Sequence, residues 1–242
     1  MSEILLEVCV DDLAGLESAI SGGADRIELC SALSTGGLTP SAGLMSAAAK
    51  SPIPVYAMIR PRIGAFVYTQ RELDLMCEDI QFAASAGIAG VVIGANLATG
   101  ALDAKALRQL SNAVGRMPRT LHRAFDFVPD MAAAIELAVD YGFERILTSG
   151  RAKTAPEGLD DLAEAVRLAD GRISIMPGSG VTPASIGEIL DRLPVREVHG
   201  SLSTTVEEAD DRVVSLGFSP RQNRRTDEAT VRALKAALAA RK

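Results

Sequence analysis

The chain has 242 residues, with 25 Lys and Arg against 31 Asp and Glu, a formal net charge of -6 and an isoelectric point near 5.1. Without a basic stripe interleaved with aromatics, that balance argues against nucleic acid or an anionic membrane surface as a partner. No apolar run reaches the length of a bilayer span, and Met1-Ser2-Glu3 is not the positively charged opening of a secretory signal, so the cytoplasm is the expected compartment.

Short β-branched runs recur along the chain, each followed by a stretch of helical character. Strands are expected at 4–10, 25–30, 55–60, 90–94, 120–126, 145–149, 173–176 and 197–201. Helices with apolar residues at spacings of three and four are expected at 70–86, 104–114, 131–141, 159–169 and 184–192, and a last one at 227–240. Gly87 reads as a helix stop, Thr182-Pro183 as an N-cap with its first helical residue, and the polar stretch 219–225 as a loop. Eight strands alternating with helices imply parallel pairing through right-handed crossovers and an α/β fold, the (β/α)8 TIM barrel, with 1–242 as one domain. A doubly wound sheet is disfavoured, because no Gly-x-Gly-x-x-Gly follows the first strand. Hydrophobic residues make up 48% of the chain and Trp is absent, so the core must come from Ala, Val, Ile and Leu, as in parallel sheets covered by helices.

Side chains alternate along a strand, so the apolar set facing the helices identifies the barrel-facing set. Leu6, Val8 and Val10 point outward, leaving Glu7 and Cys9 inside. The same reasoning turns Arg26, Glu28 and Cys30 inward on the second strand, Met58 and Arg60 on the third, His122 and Asp126 on the fifth, and Glu197, His199 and Ser201 on the eighth. Buried charge needs a partner, so such an interior is either a structural ion-pair layer or a site. For Glu7, Arg26 and Glu28 both readings stand. Arg60, His122, Asp126, His199 and Ser201 lie at C-terminal strand ends, where this architecture carries its chemistry.

Two functions suit these residues. A Cu(I) protein would use soft donors, with Cys9 and Cys30 on neighbouring strands as candidates and Glu7 beside them. Cys9, Cys30 and Cys77 form no Cys-x-x-Cys pattern and are expected as free thiols. Cys77 is expected to pack within a helix. An enzyme acting on a small anionic or phosphorylated substrate would use His122 and His199 as proton carriers, with Asp126 or Glu28 either orienting a histidine or holding a hard divalent ion together with Glu7 and Glu197. Arg60 would hold the anion, and Arg26, Arg123, Ser149 and Ser201 would contact substrate. The turn Pro177-Gly178-Ser179-Gly180 follows strand seven, where these barrels cradle phosphate, which makes Gly178 and Gly180 candidates.

Seven blocks carry a resemblance to a known family. They are Leu6-Glu7-Val8-Cys9, the run from Gly23 to Cys30, the run from Gly36 to Ser41, Met58-Ile59-Arg60-Pro61-Arg62, His122-Arg123-Ala124-Phe125-Asp126, Arg145-Ile146-Leu147-Thr148-Ser149-Gly150 and Glu197-Val198-His199-Gly200-Ser201. In these the chain resembles the CutC family over nearly its whole length, departing from the family pattern at Ile63, Ala65, Pro177 and Ser179. The resemblance implies a (β/α) barrel, a cytoplasmic location, self-association and a role in copper homeostasis that involves Cu(I); a homodimer is expected, because exposed barrel helices often pack across a two-fold axis.

Overall fold

The computed structural model describes residues 4–241; the reading of Met1-Ser2-Glu3 lies outside the described residues. In chain order the elements are β1 (Leu5–Val10), α1 (Leu13–Ser21), β2 (Arg26–Leu29), α2 (Ala42–Ala48), β3 (Val55–Met58), α3 (Gln70–Ala86), β4 (Gly90–Ile93) and α4 (Ala104–Val114). They continue as β5 (Arg119–Leu121), α5 (Met131–Asp140), β6 (Arg145–Thr148), α6 (Leu159–Ala169), β7 (Ser174–Pro177), α7 (Ile186–Arg192) and β8 (Glu197–Gly200). After them come β9 (Ser203–Glu207), α8 (Asp211–Ser215), β10 (Gln222–Thr226) and α9 (Glu228–Ala239).

The helices begin where the sequence offers a short polar side chain. Asp12, Ser41, Thr69, Asp103, Asp130 and Asp227 each accept a hydrogen bond from the amide three residues on, satisfying a donor the helix leaves open. At α3, Glu72 reaches back to the Thr69 amide and completes a capping box, and Gly87 ends the helix at φ 88°.

The strands form one parallel sheet in the order β7-β6-β5-β4-β3-β2-β1-β8, and β7 packs beside β8, so the sheet closes on itself as the expected (β/α)8 barrel. Apolar residues such as Leu6, Val8, Ile27, Leu29, Ile93 and Ile146 face outward into one continuous core beneath the helices. The register then stacks the inward residues in layers. Glu7 pairs with Arg26 on one side and His199 on the other, and Cys9 pairs with Glu28.

The lower layer is ionic. Arg26 donates to Glu7 and, at 2.6 Å, to Glu197, and Arg145 donates to the same Glu197 oxygen at 2.9 Å. The Tyr56 ring lies between the two guanidinium groups, 5.3 Å from one and 5.1 Å from the other. Gly90 makes room for it, since a Cβ there would lie 2.6 Å from the ring. Arg26, expected as a substrate contact, is thus sealed into this layer and does not reach the cavity above.

Three expectations need correction. The fifth strand ends at Leu121, because the chain turns into a 3-10 segment at Arg123–Phe127 whose Ala124 amide donates to the His122 ring. Asp126 therefore lies on that turn and not on a barrel strand. The helix expected at 184–192 starts at Ile186, after a turn in which Thr182 and Ser185 bond each other's amides at 2.9 and 3.2 Å. The stretch read as a loop at 219–225 holds most of β10, which pairs antiparallel with β9. Both strands are polar and largely exposed on both faces, so no apolar alternation marks them.

Candidate functional site

Above the ionic layer, at the C-terminal ends of the strands, lies a cavity of about 450 Å³. Glu28, Cys9 and His199 make its floor, and Arg60, His122 and Arg123 stand on its walls.

The three floor residues come from β2, β1 and β8, adjacent strands on which Cys9 is in register with Glu28 and His199 with Glu7, one inward position before Cys9. One donor atom from each of Cys9, Glu28 and His199 lies within 4.8 Å of the others, and all three residues are buried. His199 Nδ1 donates to Glu7 Oε1 at 2.8 Å, which fixes the ring and turns Nε2 toward Glu28 Oε2, 3.8 Å away. Glu7 is itself held by Arg26. Glu28 Oε1 is buried with no partner.

Electrostatics follow from this order. Burial would raise the Glu7 carboxyl, but Arg26 and His199 hold it down to about 2. Burial would lower the His199 imidazole, yet the facing Glu28, with Cys9 and Glu7, pushes it well above its ordinary value. Burial pushes up the Glu28 carboxyl and both the Cys9 and Cys30 thiols. The floor thus retains protons that a bound cation would displace.

Cys30 is set apart. Its thiol donates to Glu28 Oε2 at 3.6 Å and packs with Tyr56, Met58 and Val92, outside the cavity wall. Cys77 lies half-buried on α3.

His122 is neutral. Burial and the neighbouring Arg60 lower its imidazole to about 3. Its Nδ1 accepts from the Ala124 amide at 3.1 Å, so Nε2 carries the hydrogen, and that buried N–H has no partner. Gly94 permits this placement: a Cβ there would lie 2.5 Å from the ring. The Phe66 ring stacks against His122 at 4.5 Å.

Asp126 does not reach the cavity. It accepts from Arg123 Nε at 2.6 Å, Thr148 Oγ1 at 2.5 Å and the Ser149 amide at 3.1 Å, tying the turn after β5 to the end of β6. Ser149 is buried in the same clamp and bonds the Ala152 carbonyl at 2.6 Å. Gly178 lies against Leu147 and His199 behind the wall, whereas Gly180 and Ser201 line the cavity.

Two wall residues escaped the sequence reading. Phe66 lies in the irregular segment after β3, where no periodicity orients a side chain. Arg224 sits on β10, whose polar sequence reads as a loop.

The CutC family model matches residues 4–204. The chain belongs to the CutC family. A CutC protein of Sinorhizobium medicae is 58% identical over 238 residues, covering 98% of this chain and 97% of that one. A CutC protein of Vibrio campbellii is 50% identical over 204 residues, covering 83% and 82%. The crystal structure of a CutC protein of Streptococcus agalactiae, named for copper homeostasis, matches with a TM-score of 0.78 at 35% identity, over 82% of this chain and 98% of that one. The CutC match ends one residue after β9 begins, so the β9–β10 arm lies almost entirely beyond it.

Proposed function

We propose that the chain is a copper-handling protein of its family, holding the metal on the cavity floor through Cys9, Glu28 and His199. The convergence of those three donors carries the reading. A thiolate and an imidazole suit Cu(I), and the carboxylate adds a donor that a divalent ion also accepts. The Glu7–His199 bond supports it further, because metal-binding histidines habitually donate their second ring nitrogen to a carboxylate. Three protein donors beneath an open cavity leave room for one more ligand.

Cys30 and Glu7, both expected among the ligands, act here around the metal rather than on it. Cys30 bonds Glu28, and Glu7 bonds His199 and Arg26. A cytoplasmic location is supported by three free cysteines, which a reducing compartment preserves; no helix of the described residues is long and apolar enough to cross a membrane. Self-association as a homodimer is supported by Leu75 and Phe82, exposed seven residues apart on α3.

Titration of the reduced protein with Cu(I) against a competing chelator tests the proposal. Cys9→Ser and His199→Gln are expected to weaken binding by about 100-fold, and Cys30→Ser to leave it nearly unchanged. A Cys9→Ser protein that binds Cu(I) as tightly as the wild type would overturn it.

A further inference from the structure

Two arginines on the cavity wall have no acidic partner among the described residues. Arg60 is only 6% exposed. Its guanidinium donates to the carbonyls of Thr35, Gly37 and Gly64 at 3.1, 2.9 and 3.1 Å, and its Nε has no partner at all. Carbonyls orient a guanidinium without neutralising it, and an uncompensated buried charge is costly unless something brings the opposite sign. Arg224, exposed on β10, donates only to Ser203. Arg123, by contrast, is neutralised by Asp126.

The remaining polar groups point the same way. The unpartnered N–H of His122 is a donor. The amides of Ser179, Gly180 and Val181 have no acceptor among the described residues, and all three residues line the cavity. Glu28, on the floor, is the sole carboxylate lining the cavity among the described residues, and it faces His199. A site rich in donors and positive charge, with a single carboxylate among its lining residues, selects an anion with several oxygens.

We propose that this cavity binds a small organic phosphate monoester, its phosphate received by the Ser179–Val181 amides and Arg224 and a second oxygen-bearing end by Arg60 and His122. The loop after β7, which supplies the amides, lies against the end of β8, since a Cβ on Gly200 would lie 3.1 Å from the Val181 carbonyl oxygen. The volume of about 450 Å³ suits a metabolite-sized molecule. Arg224 comes from the arm beyond residue 204, where the family match ends. That arm lies within the stretch aligned with the Sinorhizobium medicae relative, and Arg224 acts in this proposal as a specificity-determining residue that the arm brings to the barrel mouth. The inference does not depend on the metal reading, because none of its donors is a proposed metal ligand.

The experiment uses the full chain stripped of metal with a chelator, titrated calorimetrically with ribose 5-phosphate, inorganic phosphate, malonate and ribose. Ribose 5-phosphate is expected to bind saturably, inorganic phosphate to compete with it, and ribose to give no heat. Arg224→Met is expected to weaken binding about tenfold. Arg60→Lys, which keeps the charge but loses the fork that holds the loop carbonyls, is expected to weaken it too. Because every titration uses metal-free protein, failure of the metal proposal leaves these outcomes unchanged, which separates the two. No saturable binding by a protein with wild-type thermal unfolding would overturn it. So would tighter binding of malonate than of either phosphate, or wild-type affinity in both arginine variants.

Discussion

His122 holds an imidazole where a proton is unwelcome. In the unfolded chain it protonates near its ordinary 6.5, and in the folded chain only near about 3. Between those values the unfolded state binds more protons, so this residue makes stability fall as pH drops through that window. At pH 5 its contribution to the loss is about 2 kcal/mol relative to pH 7.5. Urea unfolding at both values is expected to show His122→Gln losing that much less than the wild type; equal losses would mean that the ring is not held neutral. Gly94 is the companion position. A methyl group there meets the ring at 2.5 Å, so Gly94→Ala is expected to cost about 2 kcal/mol in the same assay at pH 7.5.

Among the elements, the strands separate by how regular they are. Alternation along β1, β2 and β8 was enough to place Glu7, Cys9, Arg26, Glu28 and His199 inside, because those strands are flanked by residues the helices bury. The same alternation failed at Asp126, where the backbone leaves the strand for a 3-10 turn and the period of two no longer applies. It could not find Arg224, whose strand has no buried face to set a pattern. Nor could spacing alone separate Cys9 from Cys30. Both face inward, but Cys30 lies one inward position beyond Glu28 on β2, and only Cys9 brings its sulfur within 4.8 Å of both Glu28 and His199. The ionic layer makes its own prediction at this scale. Glu197 is the shared acceptor of Arg26 and Arg145, so Glu197→Gln weakens compensation for two buried cations and is expected to cost about 3 kcal/mol in chemical unfolding. A loss well under 1 kcal/mol would show that Glu7 and Glu144 suffice without it.

Across the molecule, the barrel and the arm differ in how they are held. Barrel strands β1 to β6 are hydrogen-bonded on both sides and all eight are covered by helices, whereas β9 and β10 bond only each other and expose most of their side chains. Native-state hydrogen exchange is expected to show β9 and β10 amides opening far faster than those of β1, β2 and β8. Equal protection would mean that the arm is docked as firmly as the barrel.

The guanidinium and carboxylate groups along the axis also bear on how the protein responds to heat. Where many barrels of this kind hide branched hydrocarbon, this one hides Arg26, Arg145, Glu7, Glu197 and the Tyr56 ring between them. Exposing polar surface lowers the heat capacity of unfolding while exposing hydrocarbon raises it. The stability curve should therefore be broader than that of a barrel of equal length with an oily centre, falling away more gently on both the warm and the cold side of its maximum.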